Sequence, residues 1–230
     1  MRKPIFCILS VIAMVMVTAA NSQGAPAYGT KMPEQGEFHL GGQLYFVNER
    51  KLEGMNGEMN SRQQFMLISY GLLDWLSIDL KGGAGNINQI PDSGDSIDYK
   101  SYVGGGYGFR MRLIERDKFR AVWGFQHISI HPFSADAGGN KHKAVLDDWQ
   151  LSFLASYDIG KITPYGGFRW SRMDYIYWKN GDRNRVKSDL DRSYGLIVGA
   201  DWNISKNTWL NVEGNFFDAQ AVAVGINFKF

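Results

Sequence analysis

A period-two alternation runs through this sequence, and its last ten residues show it most plainly. In Ala221 to Phe230, AVAVGINFKF, Val222, Val224, Ile226, Phe228 and Phe230 fall on one face, and Ala223, Gly225, Asn227 and Lys229 fall on the other. Side chains of a strand alternate between faces, so this stretch reads as a strand with one apolar side. Its length is close to the 9–11 residues with which a tilted strand crosses a bilayer.

The same alternation recurs upstream. Glu37 to Asn48 sets Phe38, Leu40, Gly42, Leu44 and Phe46 against His39, Gly41, Gln43 and Tyr45. Arg62 to Leu72 reads with Met66, Ile68, Tyr70 and Leu72 outward, which turns Phe65 and Leu67 inward. Leu76, Ile78, Leu80 and Ala84 then alternate with Ser77, Asp79, Lys81 and Gly83. The fourth strand, Tyr99 to Leu113, sets Val103, Tyr107, Phe109 and Met111 against Gly104, Gly106, Gly108, Arg110 and Arg112. The fifth, Arg120 to Ile130, carries Trp123 and Phe125 outward. The sixth opposes Trp149, Leu151, Phe153, Ala155, Tyr157 and Ile159 to Asp148, Gln150, Ser152, Ser156 and Asp158, with Leu154 alone breaking the polar side. The seventh, Thr163 to Lys179, has Phe168 and Trp170 out and Arg169 in, and Arg172 to Lys179 is polar enough to stand above a membrane. Leu196, Val198, Ala200, Trp202 and Ile204 mark the eighth, and Leu210, Val212, Gly214 and Phe216 the ninth.

Long polar connections, Lys51 to Asn60, Asn86 to Asp98, Pro132 to Val145 and Asn180 to Asp191, alternate with short turns. The expectation is an all-β fold, a transmembrane antiparallel up-and-down β-barrel of ten strands over residues 37–230, with eight strands the next choice and both chain ends on one side. The polar faces carry Asp79, Lys81, Arg110, Arg112, Arg169, Asp201 and Glu213. Each Arg or Lys turned to lipid at the midplane costs about 2–4 kcal/mol, so these charges belong in the lumen as a polar network. Tyr70, Trp75, Tyr157 and Trp202 suit one aromatic girdle, and Trp149 and Tyr99 the other.

Arg2 and Lys3, the apolar run from Ile5 to Met16 and the small residues Thr18, Ala19 and Ala20 have the order of a secretory signal peptide, cleaved after Ala20 or, as the next choice, Ser22. Residues 21–36 then form a periplasmic lead-in. The single cysteine, Cys7, leaves with the signal, so no disulfide or thiol chemistry is expected. Those two basic residues also account for the whole formal charge of +2, 25 Lys and Arg against 23 Asp and Glu, so the mature chain is neutral and no nucleic-acid partner is implied.

An alternating last strand that ends in Phe is characteristic of the outer-membrane β-barrel proteins of Gram-negative bacteria, and this chain resembles them. By strand and loop pattern it is similar to the small opacity-type and OmpX-like surface barrels. The resemblance implies an outer-membrane protein surrounded by lipid and lipopolysaccharide, assembled by the barrel-assembly machinery through the strand ending in Phe230. It also implies a structural or surface-binding role, with a possible extracellular ligand and no enzymatic activity. Ten strands leave a lumen that side chains can fill; a narrow porin for small solutes is the alternative.

Few residues suggest chemistry. Gly104-Gly105-Gly106-Tyr107-Gly108 is followed by no helix, so it reads as glycines relieving crowding in a strand and not as a phosphate cradle. His39, His127, His131 and His142 form no zinc-ligand spacing, Gly-x-Ser-x-Gly is absent, and no metal or cofactor is expected. His127-Ile128-Ser129, however, puts His127 and Ser129 on the lipid-facing side near the end of the fifth strand. The pair resembles the His-x-Ser of outer-membrane lipid A deacylases, which implies Ser129 as nucleophile and His127 as base. The Glu and the Asn of that family's pattern are missing here. Ile130 follows the Ser, and Asp147 or Asp136 would have to orient the base.

Overall fold

A computed structural model of the chain describes residues 28–54, 56–188 and 192–230. The expected signal peptide lies outside these residues. The strands are β1 (Phe38–Lys51), β2 (Glu58–Leu73), β3 (Leu76–Ile90), β4 (Ile97–Arg116), β5 (Phe119–His131), β6 (Ala135–Ala137), β7 (Asn140–Tyr157), β8 (Ile162–Lys179), β9 (Asp182–Lys187), β10 (Tyr194–Asn203), β11 (Thr208–Phe216) and β12 (Gln220–Lys229). Ten of them form one closed antiparallel ring, and β6 and β9 are additions to β7 and β8.

The ring closes because β12 pairs on both sides. Its register runs from His39 opposite Lys229 to Val47 opposite Ala221 on β1, and from Thr208 opposite Phe228 to Asn215 opposite Ala221 on β11. The start of β1 and the end of β12 meet at the lower mouth, where the Phe230 N–H donates to the Phe38 carbonyl at 2.9 Å and Lys229 Nζ lies 2.7 Å from Glu37 Oε1.

Parity divides the side chains as the alternation requires. Leu40, Leu44, Met66, Ile68, Leu80, Phe153, Phe168, Val224, Ile226 and Phe228 are exposed on the outer wall, while Gln43, Phe65, Leu67, Lys81 and Ala223 are buried within. Water would penalise so continuous an apolar surface, and hydrocarbon accepts it. Glycines let neighbouring strands approach. A Cβ on Gly104 would meet Ile130 Cδ1 at 2.5 Å, and one on Gly106 would meet the His127 carbonyl oxygen at 2.5 Å.

Two expectations need correction. The upper connections are shorter than expected, because the strands continue past the apolar band. Asn88 pairs with Asn60 and Asp98, β7 pairs with β8 up to His142 opposite Lys179, and β9 turns back along β8. Above lipid neither face needs to be apolar, so alternation fades where backbone pairing persists. Tyr99 does not belong to an outer girdle either. The pairing of β3 with β4 steps from Gly85–Tyr102 to Ile87–Tyr99, so β4 carries one extra residue there and parity inverts. Tyr99 therefore points inward and is fully buried. Trp149 remains outward, as do Tyr157, Trp202 and Trp75.

Replacing Leu80, which is 49% exposed, by Arg should destabilise the barrel by about 2–4 kcal/mol if its position is near the midplane. Urea unfolding in lipid vesicles measures this, and Leu80→Met serves as the size-matched control.

Candidate functional site

Among the described residues, two different kinds of packing occupy the lumen. At the lower end, residues 28–32, part of the segment expected to be a periplasmic lead-in, lie inside the barrel. Arg110 holds them. It makes a two-pronged pair with Asp79 at 2.8 and 2.9 Å, and its Nη1 donates to the carbonyls of Lys31 at 2.6 Å and Tyr28 at 3.2 Å. Lys81 Nζ lies 4.3 Å above the Tyr28 ring, Thr30 donates to Ser156 at 2.8 Å, and Lys31 bonds Asn203 beside Trp209. The gap left between Tyr28, Arg110, Gln126 and Leu154 is about 10 Å³, room for at most one water.

The other charges expected in the lumen find mostly different partners. Arg169 makes its two-pronged pair with Asp218, at 2.8 and 2.9 Å, and Arg50 approaches the same carboxylate at 3.4 Å. Glu213 accepts from Tyr165 at 2.9 Å, and Asp201 accepts from Asn211 at 2.8 Å. Arg112 is only partly buried and pairs at 2.5 Å with Glu115 near the lower end of β4. Asp218 sits in the β11–β12 turn. Phe217, at φ 77° and exposed, is the strained residue that turns Asp218 inward. At the upper end the filling is apolar: Tyr45, Leu52, Met59, Phe65, Leu67, Ile87, Tyr99, Ile128, Ile130, Leu146, Met173 and Tyr175 belong to one buried cluster. The Tyr175 hydroxyl donates within it to Gln89 at 2.8 Å.

The outer wall of β5, β7 and β8 changes character row by row. Phe125, Leu151 and Trp170 share one row, His127, Trp149 and Arg172 the next, and Ser129, Asp147 and Asp174 the one above. Cross-strand pairing thus brings Ser129 and Asp147 together, and the Ser129 hydroxyl donates to Asp147 Oδ1 at 2.5 Å. The histidine bonded to Ser129 is His131, with Nε2 at 2.8 Å from Oγ. His127 stacks at 4.1 Å on Trp149, and its Nε2 is 3.7 Å from Asp147 and without a hydrogen-bond partner. The order is therefore Asp147, Ser129, His131, with the hydroxyl in the middle and its proton directed at the acid. Asp136, the other acid considered, lies in β6 opposite Lys141. His131 was legible in principle, since H-I-S-I-H places three polar residues on one strand face. Among the described residues no group of His, Cys, Asp or Glu is arranged to hold a metal.

No protein-family model matches the sequence, and no curated protein matches it. Among solved structures, the transport unit of the autotransporter AIDA-I from Escherichia coli is similar, with 10% identity over 95% of this chain and 97% of that one and a TM-score of 0.50. An outer-membrane channel from Pseudomonas putida F1 is 9% identical over 90% and 100% of the two chains, at a TM-score of 0.48. Ail, the attachment invasion locus protein of Yersinia pestis, is 11% identical over 85% and 99%, at 0.43. At these identities the likeness concerns fold, and the AIDA-I unit carries it. With the closed ring and the apolar outer band, it gives this chain the fold of a transmembrane β-barrel, the fold that these outer-membrane proteins have.

Breaking the Asp218 pairings should be costly. Asp218→Leu leaves Arg169 and Arg50 without their shared carboxylate and is expected to destabilise by about 3–5 kcal/mol. The double variant Arg169→Met/Asp218→Leu should recover part of that loss in the same urea titration.

Proposed function

We propose that the protein works through its outer wall and extracellular end, as a closed surface barrel with a structural or binding role, and does not conduct solutes. The observation that carries this reading is the filled lumen. The Arg110–Asp79 pair with residues 28–32 fills the lower half, and the apolar cluster around Tyr45, Ile87 and Tyr175 fills the upper half. A solute path would have to unseat a buried ion pair and a packed core in series. The outer wall, by contrast, offers exposed polar groups at the level where lipid headgroups begin.

Ester hydrolysis at the outer leaflet is a second reading, favoured by the convergence of Ser129, Asp147, His131 and His127 on the lipid-facing wall. In that reaction Ser129 Oγ would attack an acyl ester carbon, its proton would pass to a histidine, and the alcohol would leave before water released the acyl group. The observed hydrogen bonds direct the Ser129 proton to Asp147, so activation requires the hydroxyl to rotate toward His131 Nε2.

Purified protein in planar bilayers should give no discrete conductance steps, and regular steps would overturn the closed-barrel reading. For the esterase, mass spectrometry of lipid A from cells expressing the wild type and Ser129→Ala is decisive. The closed-barrel reading expects identical spectra, and loss of one acyl chain only with the wild type would establish hydrolysis.

A further inference from the structure

From Arg172 upward, along β7, β8 and β9, the outer wall carries a group of cations around Asp174. On β8 the outward residues run Phe168, Trp170, Arg172, Asp174, Ile176, Trp178, so the change from apolar to charged falls between Trp170 and Arg172. β9 adds Arg185 opposite Ile176 and Arg183 opposite Trp178, and β7 adds Lys143 on the other side of Trp178. Lys143 Nζ and Arg183 Cζ lie 5.0 and 5.8 Å from the Trp178 ring centre. Lys143 and Arg183 are exposed, and the Arg172 and Arg185 side chains are 37% and 47% accessible.

Asp174, nearly buried beneath them, receives Arg172 at 3.3 Å and also Arg185. This carboxylate holds the Arg185 guanidinium charged, raising its pKa above the ordinary value. Each arginine spends Nη2 on Asp174, and Arg172 Nε has no hydrogen-bond partner. Four cationic groups against Asp174 and Asp147 leave two positive charges in excess on a face that begins in the row of Trp149 and one row above Trp170. That is the depth at which an outer-leaflet lipid carries its phosphates, and a guanidinium fork suits a phosphate.

We propose that Arg172, Arg185, Lys143 and Arg183, arranged around Trp178, form a binding ledge for the phosphate groups of outer-leaflet lipopolysaccharide. Asp174 positions the two arginines, and Trp178 and Ile176 offer an apolar surface to the sugar that bears the phosphate. A soluble polyanion fits this placement less well, because the residues point sideways along the barrel wall and not from its tip. The inference rests on the proposed role of the outer wall, and its test reads lipid binding without reference to conductance.

The test uses the full-length barrel refolded in neutral-lipid vesicles, titrated with lipopolysaccharide bearing phosphorylated lipid A and with the same material after enzymatic dephosphorylation. Lys143→Gln/Arg183→Gln leaves the Asp174 pairs intact and serves as the variant that keeps the fold, with heat-modifiable mobility on gels as the folding check. Arg172→Gln/Arg185→Gln is the second variant. The wild type should prefer the phosphorylated form, and each double variant should lose roughly tenfold or more of that affinity while binding the dephosphorylated form unchanged. Equal binding of the two lipids by the wild type, or unchanged affinity in the folded Lys143→Gln/Arg183→Gln variant, overturns the proposal. So does a sulfated oligosaccharide that binds the same residues more tightly than the lipid.

Discussion

Everything in this structure depends on the backbone hydrogen bonds by which β12 joins β11 to β1. Hydrocarbon offers no partner to a free N–H or carbonyl, so a sheet in a membrane must have no edge. Once the ring is closed, register fixes parity, and a slip of one residue would turn Lys81 and Arg110 to lipid and Leu80 and Phe109 to the lumen. The inner and outer faces are therefore consequences of closure. The same closure leaves the protein only two places for interaction, its lumen and its surface.

The lumen is occupied by two unlike materials. Near the lower mouth it holds Arg110 with Asp79 and the carbonyls of Tyr28, Gly29 and Lys31. In the middle, Arg169 and Arg50 share Asp218, and a ladder of amide bonds runs from Gln126 through Gln150 to Asp148. Toward the outside, buried aliphatic and aromatic side chains take over. A buried charge survives where its partner and further donors surround it, which the tight lower network supplies. The upper strands stand clear of lipid on their outer side, so an ordinary apolar core inside them is what stabilises that part of the sheet.

On the outer wall the same strands pass from hydrocarbon to water within a few residues. The rows Phe125–Leu151–Trp170, His127–Trp149–Arg172 and Ser129–Asp147–Asp174 record that passage across three strands. Their alignment results from pairing, since β5, β7 and β8 each change from apolar to polar at positions far apart in sequence. The polar triplet on β5 and β7 and the cationic ledge on β7, β8 and β9 are neighbours for this reason.

The alternation of AVAVGINFKF and its counterparts determined the fold class, the ten-strand count, the closing strand and the inward direction of Asp79, Lys81, Arg110, Arg169, Asp201 and Glu213. A period of two is local, so one chain suffices to read it. Even the odd inward residues, Phe65, Leu67 and Leu154, were visible as breaks in the polar faces, although not as parts of a filled lumen. Only the tertiary structure decided that Asp218 holds Arg169, that residues 28–32 enter the barrel, that a bulge turns Tyr99 inward, and that His131 takes the place beside Ser129 given to His127. Each of these depends on which residues of distant strands stand opposite one another, and alternation within a strand carries no information about its neighbour's register.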